Sequence, residues 1–373
     1  MRDSYIGGEM EIHPGALWGN ILSHEFMADE QYVPVQSGRT ALLLALQAIR
    51  RRNKKKRMTA VLPSYLCPSI LKPFQQEGFE THFFAMGSDL KVNEQSLERA
   101  VATHKPEVLL FINYFGFPVS KSVAAILKAR NIGCCLIEDC AQGSLFGPRS
   151  PVVGNLGDFL ITSLRKYLPV PDGGFLVNRA GFPLPQLCPR RSRFADRMFL
   201  GKLLRGFYLE SSGESGGLEK LYLSFFSEAE EELEKPIRVE PMSHISFELV
   251  HRIDFDAANR RRRENFQFLL QAFGSNSKLK VLGKPLFTSL PRNVSPLAFP
   301  ILVSDGRRDS VRADLTKRGV FCPVHWHLPP DVNSNDFPES HRLSKSILSI
   351  PIDQRYTVGE MEKLLRLLAC VRK

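Results

Sequence analysis

Residues 136–174 place a carboxylate and an amine within one run of apolar segments. The apolar residues Leu136 and Ile137 lead into Glu138-Asp139-Cys140-Ala141-Gln142. A second apolar segment, Gly157-Asp158-Phe159-Leu160-Ile161-Thr162, runs to Ser163-Leu164-Arg165-Lys166, and the stretch closes on Pro171-Asp172-Gly173-Gly174. A lysine amine forms a Schiff base when its surroundings lower its pKa. A carboxylate at a strand end can pair with a heterocyclic nitrogen. Pyridoxal phosphate needs both groups, one to carry it covalently and one to keep its ring nitrogen protonated. Lys166 is the candidate anchor and Asp139 the candidate ring partner. Plainer readings stand beside these, because a strand-end Asp also caps turns and a lysine after a strand can simply face solvent.

The elements that would position these groups alternate regularly. Residues 59–62, 81–84, 108–114 and 133–139 read as short apolar strands, with helices over 68–77, 95–102 and 120–130 between them. That rhythm predicts an α/β fold with a mainly parallel sheet covered on both faces. Ligands in such sheets sit at the carboxyl ends of strands. Ser64, Tyr65, Tyr114, Asp139 and Gln142 all fall there. Upstream, Ser37-Gly38-Arg39-Thr40 precedes Leu42, Leu43, Leu46 and Ile49 at helical spacing. A glycine at a helix entry lets a phosphate reach free backbone N–H groups at the positive end of the dipole. An ordinary N-cap has the same appearance.

Residues 1–35 carry few periodic signals and are expected to wrap over the rest. Residues 179–240 break the rhythm. Arg190-Arg191-Ser192-Arg193 and Ser211-Ser212-Gly213-Glu214-Ser215-Gly216-Gly217 bracket a mixed-charge helical segment, and an acidic helix follows at 228–234. This reads as a surface insertion that serves as a lid or a subunit contact. From about residue 245 a long helix with Phe247, Leu249, Val250, Ile253, Phe266, Leu269 and Leu270 is expected to bridge to a C-terminal part. Strands at 297–303 and 347–350 and helices at 308–318 and 358–371 follow. The division expected is a large domain over 1–240 and a smaller α+β domain over 241–373.

The chain of 373 residues is 43% apolar and 24% charged, ordinary for a globular protein with a sizeable core. Its formal net charge of +11 suits a polyanion or an anionic small molecule such as a nucleotide-linked substrate. Much of the excess sits at 50–57 and in Arg260-Arg261-Arg262-Arg263. No aromatic residues interleave with the first run, which argues against nucleic acid. Seven cysteines at 67, 134, 135, 140, 188, 322 and 370 include no Cys-x-x-Cys pair. They fit reduced thiols better than a disulfide framework or a zinc site. The N-terminus lacks the apolar core of a signal peptide. No apolar run approaches the ~20 residues of a membrane helix. The expectation is a cytoplasmic protein bound to neither membrane nor nucleic acid, with no metal.

With these residues in view, the chain resembles the DegT/DnrJ/EryC1/StrS family of pyridoxal-phosphate aminotransferases. The marks are Ser37-Gly38-x-x-Ala41-Leu42, Pro63-Ser64-Tyr65, Ile137-Glu138-Asp139-x-Ala141-Gln142, Gly157-Asp158-Phe159, Ser163-x-x-Lys166, Gly173-Gly174 and Leu348-Ser349-Ile350-Pro351. The resemblance implies fold type I of the pyridoxal-phosphate enzymes, with a mainly parallel seven-stranded sheet in the large domain. It implies that Lys166 binds the cofactor through a Schiff base and moves protons, and that Asp139 holds the pyridine N–H. Gln142 would contact the phenolic oxygen. The amides of Gly38, Arg39 and Thr40 would bind the phosphate together with the Ser163 hydroxyl, and Tyr65 would stack on the ring. His325 and Arg355 are candidate substrate contacts. The sequence departs from the family at Arg39, where a Thr is usual, at Cys67, where an aromatic is common, and at Pro241-Met242-Ser243, a shortened form of a longer run.

The function so implied is a homodimeric aminotransferase. It would move an amino group from a donor, glutamate by family habit, to the keto group of a nucleotide-linked sugar. Another pyridoxal-phosphate reaction, such as elimination or amino-acid transamination, is the alternative within catalysis. A non-catalytic regulatory relative is the alternative outside it.

Overall fold

Strands that are covered on both faces must be apolar at every position, and the centre of this molecule is built from such strands. The computed structural model describes residues 5–22, 32–53, 55–119, 131, 133–143, 154–188, 192–211 and 216–371. The strands of its first half are β1 (Ile6–Gly7), β2 (Tyr32–Val35), β3 (Met58–Pro63), β4 (Phe79–Phe84), β5 (Val108–Ile112), β6 (Cys135–Asp139), β7 (Phe159–Ile161) and β8 (Gly174–Asn178). All but β1 join one sheet in the order β2-β8-β7-β6-β5-β3-β4. Pairing is parallel from β4 to β7 and antiparallel at β8 and β2. Every residue of β5 and β7 is buried. The expected seven-stranded, mainly parallel sheet is therefore present. The expected helix at 120–130 lies outside the described residues.

Helices α1 (Gly38–Arg52), α2 (Leu71–Gln76) and α3 (Glu94–His104) alternate with these strands. The run from Thr40 to Leu46 in α1 is wholly buried, and the helix lies against β7 and β8. The start of β8 passes so close to α1 that no side chain fits there. A Cβ on Gly174 would lie 2.4 Å from the Thr162 carbonyl oxygen and 3.1 Å from the Gly38 nitrogen. Its neighbour Gly173 has φ +114 and would meet the Met242 sulfur at 2.6 Å, so this turn requires the glycine pair.

Residues 179–240 contribute a helical hairpin, α4 (Arg193–Glu210) and α5 (Gly216–Glu234). The acidic helix expected at 228–234 is the end of α5. The single long helix expected from residue 245 is two helices, α6 (His244–Val250) and α7 (Phe255–Ser275). The break falls where the Asp254 carboxylate accepts the Ala257 N–H at 2.9 Å and starts a new helix. Both pieces keep their apolar faces inward, so periodicity alone did not reveal the break.

Helix α8 (Ser277–Leu282) and strand β9 (Gly283–Pro285) come next, then β10 (Phe299–Val303), α9 (Arg308–Lys317), β11 (Val320–Phe321), α10 (Pro338–Ser346), β12 (Ile347–Ile350) and α11 (Val358–Ala369). Strands β12, β10 and β9 form an antiparallel sheet. The N-terminal segment reaches this half of the chain, where β1 pairs in parallel with β11 as a separate two-stranded sheet. The Arg260–Arg263 run is not a surface patch for polyanions. Arg262 is buried and donates to the carbonyls of Leu297 (2.9 Å) and Tyr167 (3.0 Å), and Arg263 donates to that of Pro291 (2.7 Å). Among the described residues no helix is long and apolar enough to cross a membrane.

Candidate active site

The carboxyl ends of β5, β6 and β7 and the start of α1 converge on a cavity of about 330 Å³. Asp139 is the last residue of β6 and is buried. Its Oδ1 accepts the Ala141 N–H at 2.7 Å, and no described residue bonds Oδ2. Burial pushes this carboxyl up from its ordinary pKa, while the Lys166 charge pulls it back. Lys166 closes the helical turn Leu164–Lys166 after β7, a turn anchored by the Leu164 N–H on the Gly173 carbonyl at 2.9 Å. Asp139 and Lys166 line the same cavity.

Neighbouring Glu138 points away and has a structural task. Its two oxygens accept the N–H groups of Gly154 (2.6 Å), Leu156 (2.9 Å) and Gly157 (3.0 Å) and the Asn113 amide (2.8 Å). This fixes the chain entering β7, and hence the approach to Lys166.

The first turn of α1 lines the same cavity, with Gly38 against Thr162 and Ser163. Ser37 caps this turn, with its Oγ accepting the Thr40 N–H at 3.2 Å and its carbonyl accepting the Ala41 N–H at 2.9 Å. The amides of Gly38 and Arg39 are the first-turn donors left over. Ser163 lines the cavity beside them and makes no capping bond of its own. Thr40 does not line it: its amide and hydroxyl both engage Ser37. Gln142 also lines the cavity. Its Oε1 accepts the Phe115 N–H at 3.0 Å, and its buried Nε2 has no partner among the described residues.

Tyr65 is also absent from the lining. Its hydroxyl donates to the His325 carbonyl and accepts the Trp326 N–H at 3.0 Å, and its ring lies 5.7 Å from that of Trp326. Trp326 is the aromatic that faces the cavity, with Cys67 beside it. His325 stands between this cavity and a second one of about 470 Å³, and lines both, as do Arg165 and Lys166. Its Nδ1 lies 2.8 Å from the Ser349 hydroxyl. Burial and the Lys166 charge hold the imidazole down to about 3. Arg355 lines neither cavity. It is tied to Asp353 (2.7 Å) and Glu11 (2.7 Å), and these carboxylates outweigh burial and raise its pKa.

Four of the lining residues have no role assigned from the sequence. Arg165 was quoted next to Lys166 without a role, yet it lines both cavities. Trp326 directly follows His325, a candidate substrate contact. Glu230 and Glu234, on the hairpin, form the wall facing α1. The acidic run was visible, but its partner across space was not.

The model of the DegT/DnrJ/EryC1/StrS aminotransferase family matches residues 23–181. No curated protein matches the chain in sequence. Among solved structures, a DegT DnrJ EryC1 StrS aminotransferase from Brucella abortus is similar over 92% of this chain and 86% of its own, at 18% identity and a TM-score of 0.64. Spr1654 from Streptococcus pneumoniae, in its PMP form, is similar over 99% and 98%, at 13% identity and a TM-score of 0.70. The sugar aminotransferase CalS13 from Micromonospora echinospora is similar over 97% and 93%, at 17% identity and a TM-score of 0.63. At such identities the likeness shows a shared fold, the one the sequence implied. The stretch similar to that family's model, residues 23–181, carries Gly38, Asp139, Gln142, Ser163 and Lys166.

Proposed function

We propose that this chain is a pyridoxal-phosphate-dependent aminotransferase that takes an amino group from glutamate and gives it to the keto group of a nucleotide-linked sugar. The observation that carries the reading is the cavity shared by Lys166, Asp139 and the start of α1. The residues fit the cofactor. Gln142 Nε2 is a buried donor that lacks an acceptor, as a phenolic oxygen would be. The Gly38 and Arg39 amides and the Ser163 hydroxyl form a phosphate-sized set of donors at a helix N-terminus. Asp139, buried at the end of β6 and lining the cavity, suits a protonated ring nitrogen. Trp326, rather than Tyr65, is the aromatic in position to cover the ring.

When bound, pyridoxal phosphate supplies an aldehyde that condenses with amines and a ring that takes up the electron pair released at the neighbouring carbon. The chain's own part is to hold and to move protons. Lys166 Nζ is the amine available for covalent attachment and, once displaced, for carrying a proton. Asp139 keeps the ring nitrogen charged. His325 stays neutral beside Lys166, so it adds no second positive charge there. The second cavity opens on Lys166 and includes Arg165 and Arg312, two cations suited to a diphosphate. The division into 1–240 and 241–373, a homodimer and a cytoplasmic location belong to the same reading. Exposed Trp18, Ile21, Leu221 and Leu223 are apolar surface that a second subunit would cover.

The test is the absorption spectrum of the purified protein with added pyridoxal phosphate. A visible band should appear, be fixed by borohydride onto the peptide carrying Lys166, and vanish in Lys166→Ala. Glutamate should discharge the band and release 2-oxoglutarate. A label on any other lysine, or glutamate without effect on a correctly labelled protein, would overturn the proposal.

A further inference from the structure

The end of α5 is charged in a way its own helix disfavours. Glu228, Glu230, Glu231, Glu232 and Glu234 occupy its last two turns, where unpaired backbone carbonyls already concentrate negative charge. Cations from elsewhere offset this. Lys72 meets Glu234 at 2.6 Å, Arg197 meets Glu228 at 2.6 Å and Lys235 meets Glu232 at 2.7 Å. Arg165 lies 3.5 Å from Glu230, and Arg39 Nη1 donates to the Leu233 carbonyl at 2.9 Å.

Arg39 and Arg165 have a second claimant. Both line the cavity with Gly38 and Ser163, and Glu230, Leu233 and Glu234 form the facing wall. Arg165 also stacks over the Phe194 ring of α4 at 5.4 Å, so these two side chains touch both helices of the hairpin. Burial opposes the Arg39 charge, Arg165 adds to that, and Glu230 and Glu234 favour it. A dianionic phosphate is a stronger acceptor for a guanidinium than a neutral carbonyl is. It would also repel Glu230 and Glu234 across the cavity.

We propose that a phosphate bound at the start of α1 and the acidic end of α5 compete for Arg39 and Arg165. Loading the cavity thus loosens the last turns of α5, and the docked hairpin in turn weakens phosphate binding. The two effects are equal by linkage. This inference rests on the reading that the cavity takes pyridoxal phosphate, and it makes the hairpin a regulator of cofactor retention.

Amide hydrogen exchange on the full chain tests it, with pyridoxal phosphate and with inorganic phosphate alone. Exchange at 228–234 should speed up several-fold on loading. In Arg39→Gln that response should shrink, because only Arg165 is left to be contested, and the Kd for pyridoxal phosphate should rise about tenfold. The double variant Glu230→Gln/Glu234→Gln should bind about fivefold tighter, with fast exchange at 228–234 before ligand is added. If the cofactor is captured by Lys166 while exchange there is unchanged or slowed, or if the double variant binds no tighter, the competition is refuted and the proposed function stands. If no cofactor is retained, both fall.

Discussion

At Asp139 the needs of folding and of chemistry pull in opposite directions. A carboxyl whose pKa is raised in the folded chain loses stability as the pH rises above its unfolded value, and burial raises that of Asp139. Asp139→Asn should therefore raise the thermal midpoint of the cofactor-free protein at neutral pH. On the proposed function it should lower turnover on the order of 10²-fold or more, because a bound ring nitrogen would lose its charged partner. A lowered midpoint would show that Lys166 already satisfies the carboxylate. His325 has the opposite sign. Its imidazole titrates near 3 when folded and near 6.5 when unfolded, so the unfolded chain binds the extra proton in that window. Stability should fall as pH drops from about 6.5, by up to about 1.4 kcal/mol per unit. Urea melts of His325→Gln at pH 7, 6 and 5 should show that slope flattened, and an unaltered slope would place its source elsewhere. Residue identity at strand ends was legible in the sequence; the direction each side chain takes was not. Tyr65 and Trp326 illustrate this. Both are aromatic and close to the cavity, and only the crossing of two distant segments decides which one faces it.

The central strands were legible because burial on both faces forces unbroken apolar runs, which no surface element imitates at that length. Helix ends were less so, since polar side chains decide them case by case. Asp172 is the clearest example. It belongs to the Pro-Asp-Gly-Gly turn that enters β8, yet its partners lie at the start of α6. Its carboxylate accepts the Ser243 hydroxyl at 2.5 Å, the Ser243 N–H at 3.1 Å and the Ser246 hydroxyl. Asp172→Ala should cost about 2–3 kcal/mol by chemical denaturation, as two donors of half-buried Ser243 and the hydroxyl of buried Ser246 lose their acceptor. Burial pushes this carboxyl up to about 6, against 3.8 unfolded, and the hydroxyls only partly offset it. The folded chain then holds the extra proton between those values. Its contribution to stability should decline as pH rises from about 4 to 6, and Asp172→Asn should remove that decline. A decline that persists in the variant would assign it to another carboxyl.

Across the whole molecule the basic residues divide: Arg51, Arg52, Lys55, Lys56 and Arg57 are exposed, and a smaller set works inside. Lys202, Arg262 and Arg308 are all buried, and each donates to backbone carbonyls far along the chain. Composition states how many cations there are and not where they lie, which is why net charge alone left several partners open. The N-terminal segment depends most on this internal use. Sequence suggested only that it wraps over the rest. In the fold, Lys202 of α4 reaches Glu9 at 2.9 Å and the Met10 carbonyl at 3.0 Å, while the Ile12 N–H bonds the Lys202 carbonyl at 3.1 Å. Glu9 also lies 3.4 Å from Arg165 and lines the second cavity. The two ends of the Glu9–Lys202 pair are unequal, because the Lys202 side chain is 0% exposed and that of Glu9 is 35% exposed. Glu9→Gln strands a fully buried ammonium and should cost about 3–5 kcal/mol. Lys202→Met leaves a carboxylate that can turn to Arg165 or to water, and should cost less. The double variant should recover much of the Glu9→Gln loss, with a coupling of about 1 kcal/mol or more in a double-mutant cycle. Denaturant midpoints of the four proteins would decide it: equal losses that simply add would mean that the segment is held by its backbone bonds and not by this charge.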